Sequence, residues 1–382
     1  MSGLPVNLSD SQIAEFGRQM DRIKYEVTRS LGDDDARYIR RLIKIQRLML
    51  VAGRLMIYAS LPFLPMAGLA VGSWVVFASV ISLGIVALAV AKILENMEIG
   101  HNILHAQWDW MRDPQINSTT WEWDTHCVAE HWKQTHNVVH HTWTNVLGKD
   151  HDVGYGFLRV DAAQPWRPRH LIQPFFNVVL MVFFEWLLSM QSWRIEDVAE
   201  GRTTLAQMRP TIRTTLRKML RQGLKDYVLF PLLAGPFFPV VAAANFVATV
   251  MRSIWSNMVI FCGHFPTGSY LFTEEQVENE TRAEWYMRQM LGSSNFSGGR
   301  LMTIISGSLN YQIEHHLFPD MPSNRYPQVA PQVRALAAEY GLPYNTGTLL
   351  GQYWKTTAKI WRLALPGQAA PTEIRKQVSK AA

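Results

Sequence analysis

The chain has 382 residues, of which 48% are apolar and only 18% charged, below the ~25% charged residues usual in soluble domains. That balance excludes disorder, collagen and coiled coil. Two cysteines, Cys127 and Cys262, exclude a disulfide scaffold and read as reduced thiols. The net charge of +6 comes without a nucleic-acid-binding motif, so no nucleic-acid partner is expected. It fits cytoplasmic loops beside anionic lipid.

The first 50 residues carry mixed charge at helical spacing, unlike a signal peptide. Ser9 and Gln12 fit a capping box, and Gly32 with Asp33 to Asp35 ends one helix and starts the next. Residues 1–49 are therefore expected to form an amphipathic arm on the cytoplasmic face, with Arg40, Arg41, Lys44 and Arg47 next to the membrane. Leu55 to Ala91 holds no charged residue. At ~20 residues per crossing this suits two passes, with Pro62, Pro65, Gly68 and Gly72 in the turn. A transmembrane hairpin entering near residue 50 and returning near residue 97 is predicted. Gly100 to Arg169 is polar and holds six tryptophans between Trp108 and Trp143, which suit either an interfacial belt or the lining of a substrate tunnel.

Leu171 to Met190 is apolar apart from Glu185, Arg194 to Lys225 carries eight Lys or Arg, and Tyr227 to Gly263 is apolar again. Pro231, Pro236, Pro239 and Arg252 interrupt the last stretch. Either Leu171–Met190 lies in the interface and Tyr227–Gly263 is a second hairpin, or each crosses once. The basic loop favours the first layout. Both give an even number of crossings, so residue 264 onward returns to the N-terminal side, with a polar helical tail after Pro319.

The histidines lie outside the apolar spans proper. His101 and His105 share a helix face at i, i+4. His136, His140 and His141 form a second group, His264 ends the last crossing, and His315 and His316 form a third. Neutral imidazole suits iron, zinc or copper, and eight imidazoles are enough for two ions. Structural zinc takes four ligands, often cysteine, and a bis-histidine haem needs facing histidines inside the bundle. Two metals beside a membrane point to oxygen chemistry on a lipid-dissolved substrate. Glu98, one turn before His101, and Glu314 could orient ligand rings or be solvated surface. His126, His131, His151 and His170 lack the spacing. The expected architecture is all-α and integral to the membrane, with about four transmembrane helices in two hairpins. A cytoplasmic helical cap would carry the di-metal site, and residues 346–382 would form a cytoplasmic tail.

Three strings resemble the histidine boxes of integral-membrane fatty acid desaturases: His-Asn-Ile-Leu-His (101–105), His-Asn-Val-Val-His-His (136–141) and Gln-Ile-Glu-His-His (312–316). The run Tyr311 to Pro319 is similar to the front-end type. The N-terminal arm and Ser323-Asn324-Arg325 look like bacterial acyl-CoA desaturases. The resemblance covers residues from about 50 to 345. It implies two iron ions (Fe2+/Fe3+), O2 as co-substrate, and loss of two hydrogens from an unactivated acyl chain. The implied ligands are His101, His105, His136, His140, His141, His264, His315 and His316, with no catalytic group beyond the centre. Gln312 stands where many members have histidine, as a ligand or a neighbour of one. Ile260 stands where the animal type has asparagine, and Asn257 is the substitute to consider.

The implied substrate is a long-chain acyl-CoA or acyl lipid, desaturated near carbon 9 by the acyl-CoA resemblance or at carbons 5 or 6 by the front-end one. The implied location is a bacterial plasma membrane rather than endoplasmic reticulum, with the catalytic face cytoplasmic. Reducing dioxygen to water needs two electrons more than the acyl chain supplies. The stretch before the first span is too short for a fused cytochrome b5 domain and has no histidine. The chain also has no cysteine cluster for iron–sulfur ligation and no dinucleotide fingerprint. A ferredoxin, rubredoxin or cytochrome b5 with an NAD(P)H reductase is therefore expected to dock on the basic cap. The alternatives are a membrane hydroxylase of the same superfamily and a non-catalytic metal-binding membrane protein. The latter calls for polar residues in mid-span, and Arg252 is the one candidate.

Overall fold

The computed structural model describes residues 4–65, 73–199 and 201–367, so Gly68, Gly72 and residues 368–382 of the tail lie outside the described residues. Helix α1 (Asp10–Arg29) starts at the expected capping box, in which Ser9 and Gln12 bond each other reciprocally. Its apolar face carries Phe16, Met20 and Ile23, which are buried with Met290, Phe318 and Val329 in one core. Gly17 lets the backbone approach its neighbour, since a Cβ there would stand 2.6 Å from Ala283 Cβ. This part of the arm is thus a wall of the cap. Helix α2 (Asp33–Ser60) restarts at Gly32, whose N–H donates to Asp35 at 3.0 Å. Buried Asp35 also accepts from Arg325 at 2.6 and 2.7 Å and from Asn324 at 2.7 Å. That contact ties the start of α2 to the chain just after the third box.

Helix α3 (Trp74–Leu94) runs antiparallel to α2. Gly53 lies against Leu88 and Gly84 against Ile57, where added Cβ atoms would stand 2.7 and 2.9 Å from backbone nitrogens. Small residues allow this close backbone approach inside a membrane. The helix continues through a π-turn, Glu95–Gly100, into His101–Leu104. After the polar segment come α4 (Gln173–Val182) and α5 (Phe184–Gln191), which bend 99° from each other. Helix α6 (Leu205–Leu224) carries the basic residues and continues through a second π-turn, Lys225–Leu229, to Leu232. A short turn leads to α7 (Phe238–His264).

By length and composition two helical stretches can cross a membrane, Trp74–Leu104 and Gly235–His264, or three if the bent α4–α5 pair is one span. The first carries His101 in its last turn and the second ends at His264. Tyr227–Gly263 does not form the expected hairpin of its own: its first residues end the basic helix α6, too few to cross, and only the part after the prolines, in α7, is long and apolar enough to span. The charges among these helices are paired. Asp226 accepts from Lys92 at 2.6 Å and Arg54 at 3.0 Å, joining α2, α3 and the π-turn after α6. Arg252 of α7 pairs with Glu185 of α5. Pairing is what makes buried ions tolerable in hydrocarbon.

The cap is built from α8 (Arg282–Gly292), α9 (Arg300–Ile305), α10 (Gln312–Leu317), α11 (Tyr326–Glu339) and α12 (Leu349–Arg362). One two-stranded parallel ladder departs from the helical pattern among the described residues, β1 (Asn295–Ser297) with β2 (Thr346–Thr348).

Candidate metal centre

Four segments converge on one place. The extension of α3 brings His101 and His105. A third π-turn, Lys133–His140, runs into His141–Trp143 and presents His136, His140 and His141. The last residue of α7 is His264, and α10 brings His315 and His316, with Gln312 at its first position. The ring nitrogens of His101, His105, His136 and His315 lie within 4.8 Å of one another, as do those of His140, His264 and His316. His141 shares such a group with His315 and His316 and stands between the two sets, its ring 4.6 Å from that of His105 and 4.4 Å from that of His316. All eight implied ligands are therefore brought together, in two sets.

The outer nitrogens of four of these rings are held. Nδ1 of His140 meets both oxygens of Asp150 at 3.0 Å. Nδ1 of His316 meets Gln289 Oε1 at 3.0 Å and Thr144 Oγ1 at 3.2 Å, and Nδ1 of His315 meets Tyr326 Oη at 3.2 Å. Nδ1 of His101 meets Asn102 Oδ1 at 2.9 Å. The inner nitrogens are not held. Nε2 of His105, His136, His140, His315 and His316, Nδ1 of His264 and both nitrogens of His141 are buried without a hydrogen-bond partner. Buried polar atoms are rarely left so. Nitrogens that are clustered, inward-facing and fixed in tautomer by outer partners fit a pair of bound cations.

Protonation agrees. Burial, with neighbouring imidazoles adding to it, holds His105, His136, His141, His315 and His316 well below the usual histidine range, in the neutral form that ligates. His140 differs. Burial pulls it down, but the carboxylates of Asp150 and Asp152 more than compensate and raise it to about 9. Trp132 closes one side of the centre, stacked on His136 at 4.3 Å and 5.4 Å from both His101 and His105.

The other candidates are distributed differently. Gln312 lies beside the second set, its Nε2 3.0 Å from His264 Nε2 and its Oε1 buried without a partner. Gly263 leaves it room, since a Cβ there would stand 2.8 Å from Gln312 Cγ and Cδ. Glu98 is buried but bonded to hydroxyls, those of Tyr38 (2.8 Å), Ser308 (3.1 Å) and Ser323 (2.5 Å), and His101 takes its partner from Asn102 instead. Glu314 accepts from Asn295 and Tyr344, each at 2.8 Å. Asn257 accepts from Tyr353 at 3.2 Å, and Ile260 joins an apolar cluster. His126 faces Glu185, His131 meets Thr215, His151 lies 4.0 Å from Asp197, and His170 caps the turn at Arg167. None of these four belongs to a metal-capable group among the described residues.

Asp150 and Asp152 are functional neighbours that the sequence reading missed. Asp152 forms a metal-capable group with His136 and His140. The signal was the string Asp-His-Asp just after the second box, where the flanking carboxylates rather than His151 face the centre. Gln289, Tyr326 and Thr144 had no local signal.

Residues 72–348 match the family model described as fatty acid desaturase. A protein of Mycobacterium tuberculosis named NADPH-dependent stearoyl-CoA 9-desaturase is 44% identical over 364 residues, covering 94% of this chain and 82% of that relative. An sn-1 linoleoyl-lipid 6-desaturase of Synechocystis is 26% identical, covering 72% of this chain and 78% of the relative. An acyl-lipid (7-3)-desaturase of Rebecca salina is 29% identical, covering 56% and 48%.

Proposed function

The chain belongs to the fatty acid desaturase family and is an enzyme that desaturates a long-chain fatty acyl substrate; from that premise we propose that the substrate is an acyl-CoA, that the double bond enters at carbon 9, and that the centre holds two irons. The front-end character of the third box favoured carbons 5 or 6. The 9-desaturase relative, matched over 94% of the chain, supports carbon 9. The observation that carries the metal reading is the double set of buried, unpartnered imidazole nitrogens.

His101, His105, His136 and His315 would hold one ion and His140, His264 and His316 the other, with His141 between them. Gln312, bonded to His264, is the further group beside the second, and Asp152 stands behind His136 and His140 on their outer nitrogens. Glu98 and Asn257 act through the side chains they bond, Tyr38 and Tyr353. Bound iron supplies dioxygen activation and the withdrawal of two hydrogens from adjacent carbons. The chain's own residues do the rest. Asp150 keeps a proton on His140 Nδ1 so that Nε2 points inward. Gln289 and Tyr326 fix the rings of the third box. Trp132 shields the centre from water and is a candidate wall for the acyl chain.

The basic residues that precede the two candidate spans, in the first half of α2 and along α6, support a cap on the cytoplasmic side of a bacterial plasma membrane, with Trp74–Leu104 and Gly235–His264 as the return passes of two hairpins. On this reading 1–49 is the arm, 50–345 the membrane domain and 346–382 the tail. The substrate is drawn from membrane lipid surroundings. Electrons come from a separate ferredoxin, rubredoxin or cytochrome b5 fed by an NAD(P)H reductase, as the NADPH dependence in the relative's name supports.

The test is expression in a host lacking its own desaturase, with double-bond position read by mass spectrometry. Octadecenoate unsaturated at carbon 9 is expected. Gain of one oxygen would mean a hydroxylase, and a bond nearer the carboxyl would overturn the position. Purified protein given stearoyl-CoA, O2 and NADPH should turn over repeatedly only when a donor system is added.

A further inference from the structure

Helix α12 leaves its outer face open among the described residues. Leu350, Trp354 and Trp361 recur at helical spacing, so they share one face, and they are 73%, 74% and 46% exposed. Leu365, just past the helix end, is exposed as well. The other side of α12 is buried through Leu349, Gln352, Thr356 and Ile360. Lys355 and Arg362 are exposed on the flank of the stripe, and the chain holds no acidic residue from Tyr340 to Thr372. An apolar stripe with tryptophans, edged by basic residues alone, suits the boundary between acyl chains and anionic head groups.

The contacts of α12 set its height. Cys262 Sγ lies 3.4 Å from the Leu349 carbonyl oxygen, and Tyr353 Oη meets Asn257 Oδ1 at 3.2 Å. Both partners belong to the last turns of the candidate span Gly235–His264. From Gly235 to Asn257 a helix rises about 33 Å, close to the ~30 Å of the hydrocarbon core. With the Gly235 turn at the far surface, Tyr353 stands where hydrocarbon gives way to head groups. Helix α4 continues this surface. Tyr353 Oη also meets Met181 Sδ there at 3.1 Å, and Gln173 donates to the Ile360 carbonyl. Leu171, Ile172 and Phe175, at and just before the start of α4, are exposed.

The inner face of α12 reaches the support of the metal centre. Gln352 Nε2 donates to Ser294 Oγ at 2.7 Å and to the Asn295 carbonyl at 3.1 Å. Asn295 in turn donates to Glu314 and accepts the N–H of Ile313, each at 2.8 Å, just before His315. Whatever holds α12 from outside therefore also steadies the third box.

We infer that α12, with the start of α4, is seated in the head-group layer of an anionic membrane leaflet. Its Leu350, Trp354 and Trp361 enter the acyl boundary, and the long stems of Lys355 and Arg362 bring their charges to the phosphates. The inference rests on the membrane layout proposed above and not on the reaction. The height beside α7 and the one-signed flank favour lipid over a soluble partner or a second copy of this chain.

The test uses the full-length protein in lipid nanodiscs, with a fluorescent label on an introduced cysteine, since Cys127 and Cys262 are buried. Labels at Leu350→Cys and Trp361→Cys should be quenched strongly by lipids spin-labelled near the head group and weakly by aqueous iodide. Leu83→Cys, exposed on α3, should respond to lipids spin-labelled near the chain end, and Arg18→Cys on α1 to iodide alone. Iodide quenching of both α12 labels beside a lipid-quenched Leu83→Cys would overturn the inference alone. Iodide quenching at Leu83→Cys would sink the membrane layout and the inference with it. Labels on α12 shielded from both quenchers in a dimeric preparation would put a second copy on the stripe, and this too would overturn it. Amide exchange of α12 in the unlabelled wild type, read by mass spectrometry, should be slower in phosphatidylglycerol than in phosphatidylcholine. Lys355→Gln and Arg362→Gln should each remove about fivefold of that slowing. Equal exchange in the two lipids would refute the anionic contact.

Discussion

Replacing Asp150 by asparagine should loosen the metal centre without touching a ligand. The carboxylate is fully used. Oδ1 accepts the N–H of Asp152 at 2.9 Å and Oδ2 that of Asn145 at 2.8 Å, and both face His140 Nδ1 at 3.0 Å. An amide has one oxygen, so one of the two backbone N–H groups must then face an NH2. A buried donor left without an acceptor costs about 1–3 kcal/mol. Independently, His140 loses the charged partner that fixes its tautomer, and losses of this kind cost about ten- to hundredfold in metal affinity. Asp150→Asn should therefore lower the melting temperature measurably and weaken metal binding by at least tenfold. The assay is metal titration of the chelator-stripped protein, with calorimetric melting in the same detergent. Asp152→Asn is the comparison. Its carboxylate stands 3.6 Å from His140 Nδ1 and 3.8 Å from His136 Nδ1, and its effect through these outer nitrogens should be smaller. Wild-type metal affinity in Asp150→Asn would refute the claim that this carboxylate sets the ring.

His315→Ala should abolish turnover while the protein still reaches the membrane, whereas His131→Ala and His170→Ala should retain most activity, as judged by product analysis of membranes; a fully active His315→Ala would remove the ligand assignment. Gly84→Ala puts a methyl 2.9 Å from the Ile57 nitrogen, so it should part α2 from α3 at a cost of about 1–3 kcal/mol, read as a lower melting temperature. Acid should weaken the anchor between α2 and the segment after the third box. Burial raises the Asp35 carboxyl, but the hydrogen bonds from Arg325 and Asn324 outweigh this and bring it below its ordinary 3.8. Its contribution is thus complete above that value and lost as pH falls through the lower folded one. Melting temperatures taken down through pH 4 should fall less steeply in Asp35→Asn than in wild type, and parallel curves would count against the anchor.

The centre was legible in the sequence to the extent that its chemistry is local. Spacing at i, i+4 marks His101 with His105 and His136 with His140, and an adjacent pair marks His315 with His316. The cap of α1 and the restart at Gly32 were legible for the same reason, since capping residues act on their own backbone. What escaped depends on distance along the chain. His316 takes its outer partners from Gln289 and from Thr144, 172 residues away. His315 takes Tyr326, and no periodicity carries that information. Hydropathy also misled where charges are paired. Lys92 and Asp226 sit inside the helix bundle because they neutralise one another and Arg54, so counting charges understates how apolar these helices are to their surroundings. The 99° bend between α4 and α5 falls at Phe183 without a proline or glycine to announce it.

The π-turns at Glu95–Gly100 and Lys133–His140 give the first two boxes a counting rule. A π-turn closes its hydrogen bonds at i→i+5 instead of i→i+4, so each holds one residue more than an α-helix would over the same stretch. Each residue of an α-helix advances the next side chain by about 100°. Removing a single residue from Glu95–Gly100 would let the turn relax to the commoner winding over the same stretch, so His101 and His105 would keep their mutual spacing and nearly their aim. The α-helical part of α3 has no such residue to give up, and a deletion there would swing both rings together through roughly that angle. Deletions in the π-turn and deletions in the regular helix before it are therefore different kinds of change. The first tightens one turn, and the second puts a whole box out of frame with the other two.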